Sequence, residues 1–407
     1  MRTMYHTLRI LIPLIILAAM VVPAGAKQAA FSTGFIRWRA ADHGFTGWTL
    51  SGAVTGGAGE LRLDQATAVD ETDPYPPGGY YGGNFYTGGN YIVGEATSPE
   101  VTAPFAYKEA IASWNATTPT GTWIETLIRA RFDERWTKWY NLGIWVENYS
   151  TIQRHSVRSQ GDSDGYVAVD TLVLTNKKET TNTFQIKFRL FSVDGTEIPT
   201  IENASVAYST SAVKSPALTP GDPGRWNQLL AVPECSQMVY LDGGEVWCSP
   251  TSTSMVVAYW KGYSGPCEPR VRAAVEGVYD WIYDGHGNWP FNTAYAAALG
   301  LEGYVARFTN LAQAEEWVTA GVPVIVSFAW KKSDLSGAPI PSSGGHLAVL
   351  VGFDAAGNPI INDPAAASDA DVQRIYQREE FEPLWLKNSG GTVYLIYPPG
   401  WAVPTIP

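Results

Sequence analysis

VPECSQMVYLDGGEVWCSPTSTSM, residues 232–255, is the stretch that decides how the rest of the chain is interpreted. Its centre is Cys248, which follows a turn signal at residues 242–245. Ser249 and Pro250 favour a helix start, because Ser is preferred at the cap and Pro in the first turn. Apolar residues then recur at helical spacing at Met255, Val256, Tyr259 and Trp260. The sequence therefore predicts a largely buried helix with Cys248 at its N-terminal end.

This position would make Cys248 reactive. The first turn of a helix carries free backbone N–H groups and the positive end of the helix dipole. Both favour the thiolate, which is the nucleophilic form of cysteine. A lone cysteine is more often an inert buried residue, so the interpretation depends on residues that could act with it.

A second segment supplies such residues. His346 precedes the apolar run 347–353, residues 354–358 form a turn signal, and residues 359–363 return. We predict a β-hairpin with His346 at the root of the first strand and Asp363 at the end of the second. A nucleophilic cysteine needs a base, and the base needs an orienting acceptor. His346 and Asp363 are the candidates for these two roles.

The geometry of this hairpin leaves alternatives open. A symmetric turn near Ala356 pairs Asp363 with about Val349, short of His346, so Asp363 needs a bulge, an asymmetric turn or a reach from the frayed strand end. Asn362 is the alternative orienter. His286 is a rival base, but it lies in a glycine-rich loop without a following strand or a suitable carboxylate. Gln237, 11 residues before Cys248, could donate its side-chain N–H to an oxyanion.

Four short stretches carry a family resemblance: Ser236 and Gln237, residues 247–251 (WCSPT), Gly345 and His346, and residues 362–364 (NDP). Together they resemble the papain-like cysteine peptidases related to the bacterial double-glycine leader (bacteriocin-processing) peptidases. The resemblance covers about residues 232–398. The family often has Gly after the cysteine, and Ser249 stands there in this chain.

The resemblance implies an α+β papain-like peptidase domain at residues 232–407. It also implies four roles: nucleophile Cys248, base His346, orienter Asp363 and oxyanion donor Gln237. No cofactor or metal is expected.

Residues 1–26 indicate export. Arg2 and Arg9 precede an apolar run at residues 10–22, and residues 24–26 (AGA) form a small-residue cleavage site. The run is shorter than the ~20 residues that span a bilayer, so we predict a signal peptide rather than an anchor. The expected protein is secreted, starts near Lys27 and has no later transmembrane segment.

Charge and cysteines narrow the function further. The net charge of −11 argues against nucleic acid as a partner. The three cysteines are Cys235, Cys248 and Cys267, and an odd number leaves one thiol free in an oxidising compartment. If Cys248 is the nucleophile, Cys235 and Cys267 form the disulfide.

Residues 27–208 read as an all-β, jelly-roll-like sandwich, with strand patterns at residues 122–129, 142–146, 167–174 and 184–190. The aromatic residues of this region could stack on sugars, although we favour a core role: Trp114, Trp136, Trp139, Tyr140 and Trp145. Residues 160–165 (QGDSDG) could hold Ca²⁺, but an ordinary turn is favoured.

Residues 209–231 form a Pro/Gly-rich linker, which predicts that the two flanking domains are separable. In the second domain, helices are predicted at residues 270–284, 292–299 and 312–319, with a strand at 323–330. Residues 380–387 and 392–397 are expected to close its sheet.

These observations predict a secreted cysteine peptidase that hydrolyses peptide or amide bonds in a peptide, protein or cell-wall peptide substrate. Acyl transfer to an amine is a variant of the same chemistry. The alternative is a non-catalytic adhesion or glycan-binding protein, in which the sandwich binds carbohydrate and the papain-like region is a retired scaffold.

Overall fold

A computed structural model describes residues 31–73, 88–212, 216 and 218–406. The predicted signal peptide lies outside the described residues. So do residues 74–87 and positions 213–215 and 217 of the predicted linker.

The N-terminal region consists of antiparallel strands. They are β1 (Thr33–Arg39), β2 (Thr49–Ser51), β3 (Ala53–Thr55), β4 (Leu61–Leu63), β5 (Val69–Thr72), β6 (Asn90–Thr97), β7 (Val101–Thr102), β8 (Glu109–Thr117), β9 (Thr122–Phe132), β10 (Arg135–Trp136), β11 (Tyr140–Trp145), β12 (Gly165–Ala168), β13 (Thr171–Leu174), β14 (Thr183–Ser192) and β15 (Thr200–Ser209). One sheet has the order β12-β13-β8-β15-β4-β3, with β1 also on β15. The other has the order β10-β9-β14-β6-β2, with β11 on β9, β5 on β6 and β7 on β14.

The two sheets enclose one core, which confirms the predicted β-sandwich. Strand β14 shows why: Phe184, Ile186, Phe188 and Leu190 are buried, and the residues between them are partly exposed. This period of two directs one face of the strand inward. The segment 167–174, predicted as one strand, is instead β12 and β13 joined by a turn at Val169 and Asp170.

Most of the aromatic side chains noted in the sequence fill this core. Trp114, Tyr140 and Trp145 are buried. Trp136 and Trp139 are half-buried, and their rings flank the Arg129 guanidinium at 4.1 and 4.5 Å. In the 160–165 segment, the Asp162 carboxylate accepts hydrogen bonds from the N–H groups of Asp164 and Gly165, as in an ordinary turn.

The C-terminal region combines helices with a third antiparallel sheet. Its elements are β16 (Gln228–Leu229), α1 (Cys248–Lys261), α2 (Glu268–Val278), α3 (Trp289–Ala298), β17 (Glu302–Arg307), α4 (Leu311–Thr319), β18 (Val324–Trp330), β19 (Ser343–Phe353), β20 (Pro359–Asn362), β21 (Gln373–Ile375), α5 (Arg378–Ser389) and β22 (Thr392–Tyr397). The sheet order is β17-β22-β18-β19-β20-β21, with β16 on β19. Short 3₁₀ helices lie at Ala40–Asp42, Pro223–Arg225, Gly244–Val246 and Asp369–Asp371.

Two expectations for this region are wrong. Residues 380–387 do not close the sheet, because they belong to α5, which has acidic residues in its first turn and ends at the left-handed Gly390. Helix α2 ends at Val278 rather than at residue 284. The Asp280 carboxylate accepts hydrogen bonds from the N–H groups of Ile282 and Tyr283, which stabilises a turn in place of the helix.

Strand β8 joins the two regions, because both of its faces are covered. One set of alternate side chains packs in the sandwich core: Ala110, Ala112, Trp114 and Ala116. The other set faces the C-terminal region. There Ser113 Oγ accepts a hydrogen bond from the Val305 N–H at 3.0 Å, and Asn115 Nδ2 donates to the Gly303 carbonyl at 2.7 Å.

Further contacts cross the same interface. Phe291 of α3 enters the sandwich core, with its ring 6.2 Å from Trp114 and 5.6 Å from Trp145. The buried Glu302 carboxylate pairs with Arg37 at 2.7 Å. Residues Phe31–Pro407 group as one compact unit, so these contacts argue against separate folding of the two regions. The exact domain boundaries stay a prediction.

Candidate active site

Cys248 lies at the first position of α1. The helix begins two residues earlier than the sequence predicts, with Trp247 rather than Ser249 at the cap position, so that Ser249 and Pro250 lie inside the first turn. Residues 249–258 of this helix are buried. Ser252 Oγ donates to the Leu347 carbonyl at 3.1 Å, so the helix is fixed against the strand that carries His346.

His346 and Asp363 meet through the end of the β19–β20 hairpin. Gly352 pairs with Ile360, but Asn362 pairs with Val349, because a bulge shifts the register between them by one residue. Asp363 lies one residue beyond β20. Its Oδ1 is 2.8 Å from His346 Nε2. The structure thus combines two of the three solutions that the hairpin left open, a bulge and a reach from the strand end.

The Asp363 carboxylate is fully buried, and both of its oxygens accept hydrogen bonds. Oδ1 also accepts from the Ala365 N–H at 2.9 Å, and Oδ2 accepts from the Tyr376 hydroxyl at 2.6 Å. Burial alone would raise the pKa of Asp363, but the charge of His346 and these hydrogen bonds hold it below its usual value. Sequence reasoning missed Tyr376, because no pattern links an isolated tyrosine between β21 and α5 to the hairpin.

The pKa of His346 is set by burial and by its two neighbours, Asp363 and Cys248. Burial would lower the pKa of His346, but the Asp363 carboxylate and the Cys248 thiol outweigh it and raise the pKa to about 10. The rings of Phe328 and Trp330 stand edge-on to the imidazole, with centroids at 5.4 Å. These rings shield the pair from water, which strengthens the electrostatic interaction. Since Nε2 faces Asp363, Nδ1 is the nitrogen left for Cys248.

Cys248 is half-buried and lines the same cleft as His346. Burial would raise the pKa of its thiol, but the hydrogen bond and charge of His346 and the backbone N–H groups of Leu347 and Ser249 lower it overall. A cysteine with a lowered pKa beside a histidine with a raised pKa favours a thiolate–imidazolium pair. Such a pair can attack a carbonyl carbon and then protonate a leaving amine.

Gln237 lines the same cleft as Cys248. Its backbone N–H donates to the Pro364 carbonyl at 2.8 Å, which ties it to the loop that follows Asp363. Its Nε2 donates to the Gly244 carbonyl at 2.7 Å. Because an amide nitrogen carries two hydrogens, one N–H remains for a ligand. The buried Oε1 has no hydrogen-bond partner among the described residues.

Neither Asn362, the alternative orienter, nor His286, the rival base, has the contacts that its role requires. Asn362 Nδ2 donates to the Val232 carbonyl at 3.1 Å, so Asp363 is the residue that contacts His346. His286 lies in the cleft, packed against the rings of Tyr279 and Trp247. Burial lowers its pKa to about 4, and its Nδ1 has no partner among the residues described. His286 is therefore a neutral ring in the cleft wall.

The cleft has a volume of about 1080 Å³ and is lined by residues from both regions of the chain. Within the described ranges, no three His, Cys, Asp or Glu side chains lie together as a metal site requires. In those same ranges, no helix is long and apolar enough to cross a bilayer.

A disulfide joins Cys235 to Cys267, with a Cα–Cα distance of 5.8 Å, and Cys248 is free. The closed loop contains Gln237, Cys248 and all of α1. The bridge therefore limits how far the oxyanion candidate and the thiol can separate.

Replacing both Cys235 and Cys267 with Ser is expected to lower the free energy of unfolding by about 3–4 kcal/mol, since the unfolded chain regains the entropy of the open loop. Chemical denaturation of the oxidised protein and of the double variant measures this difference. Cys248→Ser is the matched control and should leave the bridge and most of the stability intact. Equal stability of the double variant and the parent would contradict the expectation.

Comparison with known proteins gives matches for both regions. Residues 35–209 match the model of the Peptidase C39 N-terminal domain, and residues 229–393 match the model of the Peptidase_C39 like family. A search of curated proteins gave no significant match.

Among solved structures, the chain is similar to the module TmCBM61 in complex with β-1,4-galactotriose, at 11% identity and a TM-score of 0.21, covering 40% of this chain and 88% of that one. It is also similar to a promiscuous carbohydrate-binding module of the β-sandwich superfamily. In that case the identity is 12% and the TM-score 0.16, covering 42% of this chain and 55% of the other.

Proposed function

We propose that this chain, which carries a Peptidase C39 N-terminal domain followed by a domain of the Peptidase_C39 like family, is a secreted cysteine peptidase with a papain-like catalytic domain. The observation that carries the proposal is that Cys248 and His346 line one cleft, and that His346 Nε2 is 2.8 Å from the buried Asp363 carboxylate. The order of a buried helix with the thiol, followed by a sheet with the histidine, supports the papain-like assignment.

The reaction begins with the Cys248 thiolate, which attacks the carbonyl carbon of a peptide or amide bond. The oxyanion of the tetrahedral intermediate is stabilised by the Cys248 backbone N–H, which has no partner within the helix. The second Nε2 hydrogen of Gln237 provides the other donor. His346 then gives its Nδ1 proton to the leaving amine, and the C–N bond breaks to form a thioester.

Deacylation uses the same residues, but His346 now acts as a base instead of an acid. His346, now neutral, takes a proton from water, and the resulting hydroxide attacks the thioester carbonyl. Collapse of the second intermediate releases the carboxylic acid and regenerates the thiolate and imidazolium. Asp363 keeps the imidazole oriented throughout, and Tyr376 holds the Asp363 carboxylate. If an amine replaces water, the same steps give acyl transfer.

The expected substrates are peptides, proteins or cell-wall peptides outside the cytoplasm. The disulfide supports an oxidising compartment, in line with the export signal expected from the first 26 residues.

The second candidate is a non-catalytic glycan-binding protein, in which aromatic residues of the sandwich contact sugar. Trp136 and Trp139 are half-buried in this region, but each directs a ring face at Arg129. This candidate gives no reason for an ionised thiol. Alkylation of Cys248 therefore distinguishes the two functions.

The pH dependence of alkylation tests the proposal. Because the pKa of Cys248 is lowered, its reaction with iodoacetamide should remain fast well below the ordinary thiol pKa of about 8.5. Peptide cleavage also needs the His346 proton. It should rise as pH increases through the pKa of Cys248 and fall as pH increases through about 10. Mass spectrometry of the labelled peptide and initial rates give the two profiles.

The matched control is His346→Gln, in which the thiol loses its charged neighbour. Its alkylation should shift to higher pH, toward the ordinary thiol value. Identical alkylation profiles for the parent and His346→Gln, both rising near pH 8.5, would contradict the ion pair.

A further inference from the structure

The cleft beside Cys248 is bounded in part by the N-terminal region. Its lining includes the turn between β12 and β13 and the start of β13, at Ala168, Val169, Asp170, Thr171 and Val173. On the C-terminal side, the lining includes Cys248, His346 and Gln237. A substrate bound at Cys248 therefore occupies a space that both regions enclose.

The turn in this wall has a strained backbone. Val169 has a φ of 60°, and the Asp170 N–H donates to the Ala168 carbonyl at 2.7 Å. This is the rare γ-turn with a positive φ, and a β-branched residue is poorly suited to it. A glycine would relieve the strain. Strain of this kind persists only where the surroundings enforce it, and it concentrates at binding and catalytic sites.

Asp170, which lies in the turn itself, connects it to the C-terminal region. Its buried carboxylate accepts a hydrogen bond through Oδ2 from the Trp289 N–H at 2.7 Å, and through Oδ1 from the Thr171 hydroxyl at 2.9 Å. Trp289 is the first residue of α3, where a carboxylate also interacts favourably with the helix dipole. The turn is thus fixed to the C-terminal region, and Val169 is held at a defined place in the cleft wall.

Other apolar side chains line the same cleft. Met238 and Val246 flank the loop between Gln237 and Cys248, and both are exposed, at 37% and 60%. Ala168 and Val169 add aliphatic groups from the N-terminal wall. Exposed apolar side chains that line one cleft indicate a ligand with an apolar surface.

We propose that Val169 is a specificity-determining residue, and that the N-terminal domain selects peptides with an aliphatic side chain next to the scissile bond. The inference rests on the proposed peptidase function. In it the β12–β13 turn packs against this substrate side chain while Cys248 attacks the adjacent carbonyl. The N-terminal domain is then part of the peptidase site rather than an independent binding module.

Two substitutions of Val169 test the inference with the full-length protein. Val169→Trp fills the cleft and should lower kcat/KM for peptides with Leu beside the scissile bond about tenfold or more, mainly through KM. Val169→Gly removes both the strain and the contact. It should raise Tm or leave it unchanged, yet reduce the preference for Leu over Ala peptides by about tenfold.

Val69→Trp is the matched control, because Val69 is a 53% exposed valine of the same region and lies outside the cleft lining. Val69→Trp should keep both the parent's kinetics and the parent's rate of Cys248 alkylation by iodoacetamide.

The possible failures are distinguishable. If the parent cleaves no peptide and Cys248 shows no enhanced alkylation, the proposed function itself fails. If the parent cleaves peptides but both Val169 variants keep its ratio of kcat/KM for Leu and Ala peptides, the inference is overturned and the peptidase stands. Should Val169→Trp fail to fold, the Leu/Ala ratio of Val169→Gly still decides.

Discussion

Replacing Cys248 with Ala is expected to abolish peptide cleavage while the protein stays folded. In the proposed mechanism the Cys248 sulfur attacks the substrate, and the methyl group of Ala cannot replace it. Loss of a nucleophile that acts together with its base reduces kcat by several orders of magnitude, on the order of 10⁴-fold or more. The stability should change little, because Cys248 is only half-buried and forms no disulfide.

The comparison requires both activity and fold to be measured. Cleavage of a peptide pool, followed by mass spectrometry, gives the activity, and thermal unfolding gives the stability. Cys248→Ser is a useful companion, because it keeps the size of the side chain and replaces the thiol with a poor nucleophile. Wild-type turnover in Cys248→Ala would assign the cleavage to another site.

Replacing His346 should cost nearly as much. In the proposed mechanism the imidazole maintains the thiolate and protonates the leaving amine, so the thiol and the base act as one unit. His346→Gln is the preferred variant. Its amide can still donate a hydrogen bond to the buried Asp363 carboxylate, but an amide cannot act as a general acid or base near neutral pH. A loss of kcat on the order of 10³-fold or more is expected. His346→Ala would add a second defect, an unpaired buried carboxylate.

Tyr376→Phe is a milder change to the same group of residues, and we expect it to have a smaller effect on activity. It removes the hydrogen bond to Asp363 Oδ2 but leaves Cys248 and His346 in place. A loss of about tenfold in kcat is expected, in keeping with one hydrogen bond to a charged group. If His346→Gln retained activity close to that of the parent, His346 would not be the base, and the ion-pair mechanism would be wrong.

Much of the site's local structure is readable from the sequence. The helix after Cys248 and the two strands around residues 354–358 follow from apolar spacing and turn residues. The meeting of His346 and Asp363 does not, because it depends on the bulge between the Gly352 and Leu350 pairs and on the reach of Asp363 beyond its strand. A register shift of this kind leaves no mark in the hydrophobic pattern, which only assigns faces.

The close packing of the N-terminal and C-terminal regions could not be predicted from the sequence either. The Pro/Gly composition of residues 209–231 describes the connection, not the surfaces it connects. Strand β8 contains the decisive residues, since Ser113 and Asn115 alternate with core side chains and form hydrogen bonds with β17. From the sequence alone, such polar residues are indistinguishable from a solvated strand face.

Residues 380–387 show a further limit of secondary-structure prediction from the sequence, since they were expected in the sheet and belong to a helix. The segment has no clear period, and only its capping Gly390 and the acidic first turn favour the helix that the structure contains. The turn at Val169 is a stronger case. No sequence pattern predicts a positive φ at valine, because the conformation is enforced by Asp170 and Trp289 from two different regions.

The central claim is that Cys248 is the nucleophile of a peptidase, and a peptide-library digest tests it most directly. The protein and its Cys248→Ala variant are each incubated with a diverse peptide pool near neutral pH, and new termini are identified by mass spectrometry. The account predicts new termini with the parent and none with Cys248→Ala. It also predicts that iodoacetamide forms a single thioether, on Cys248. A parent that produces no new termini, or a Cys248→Ala variant that produces the same ones, would contradict it.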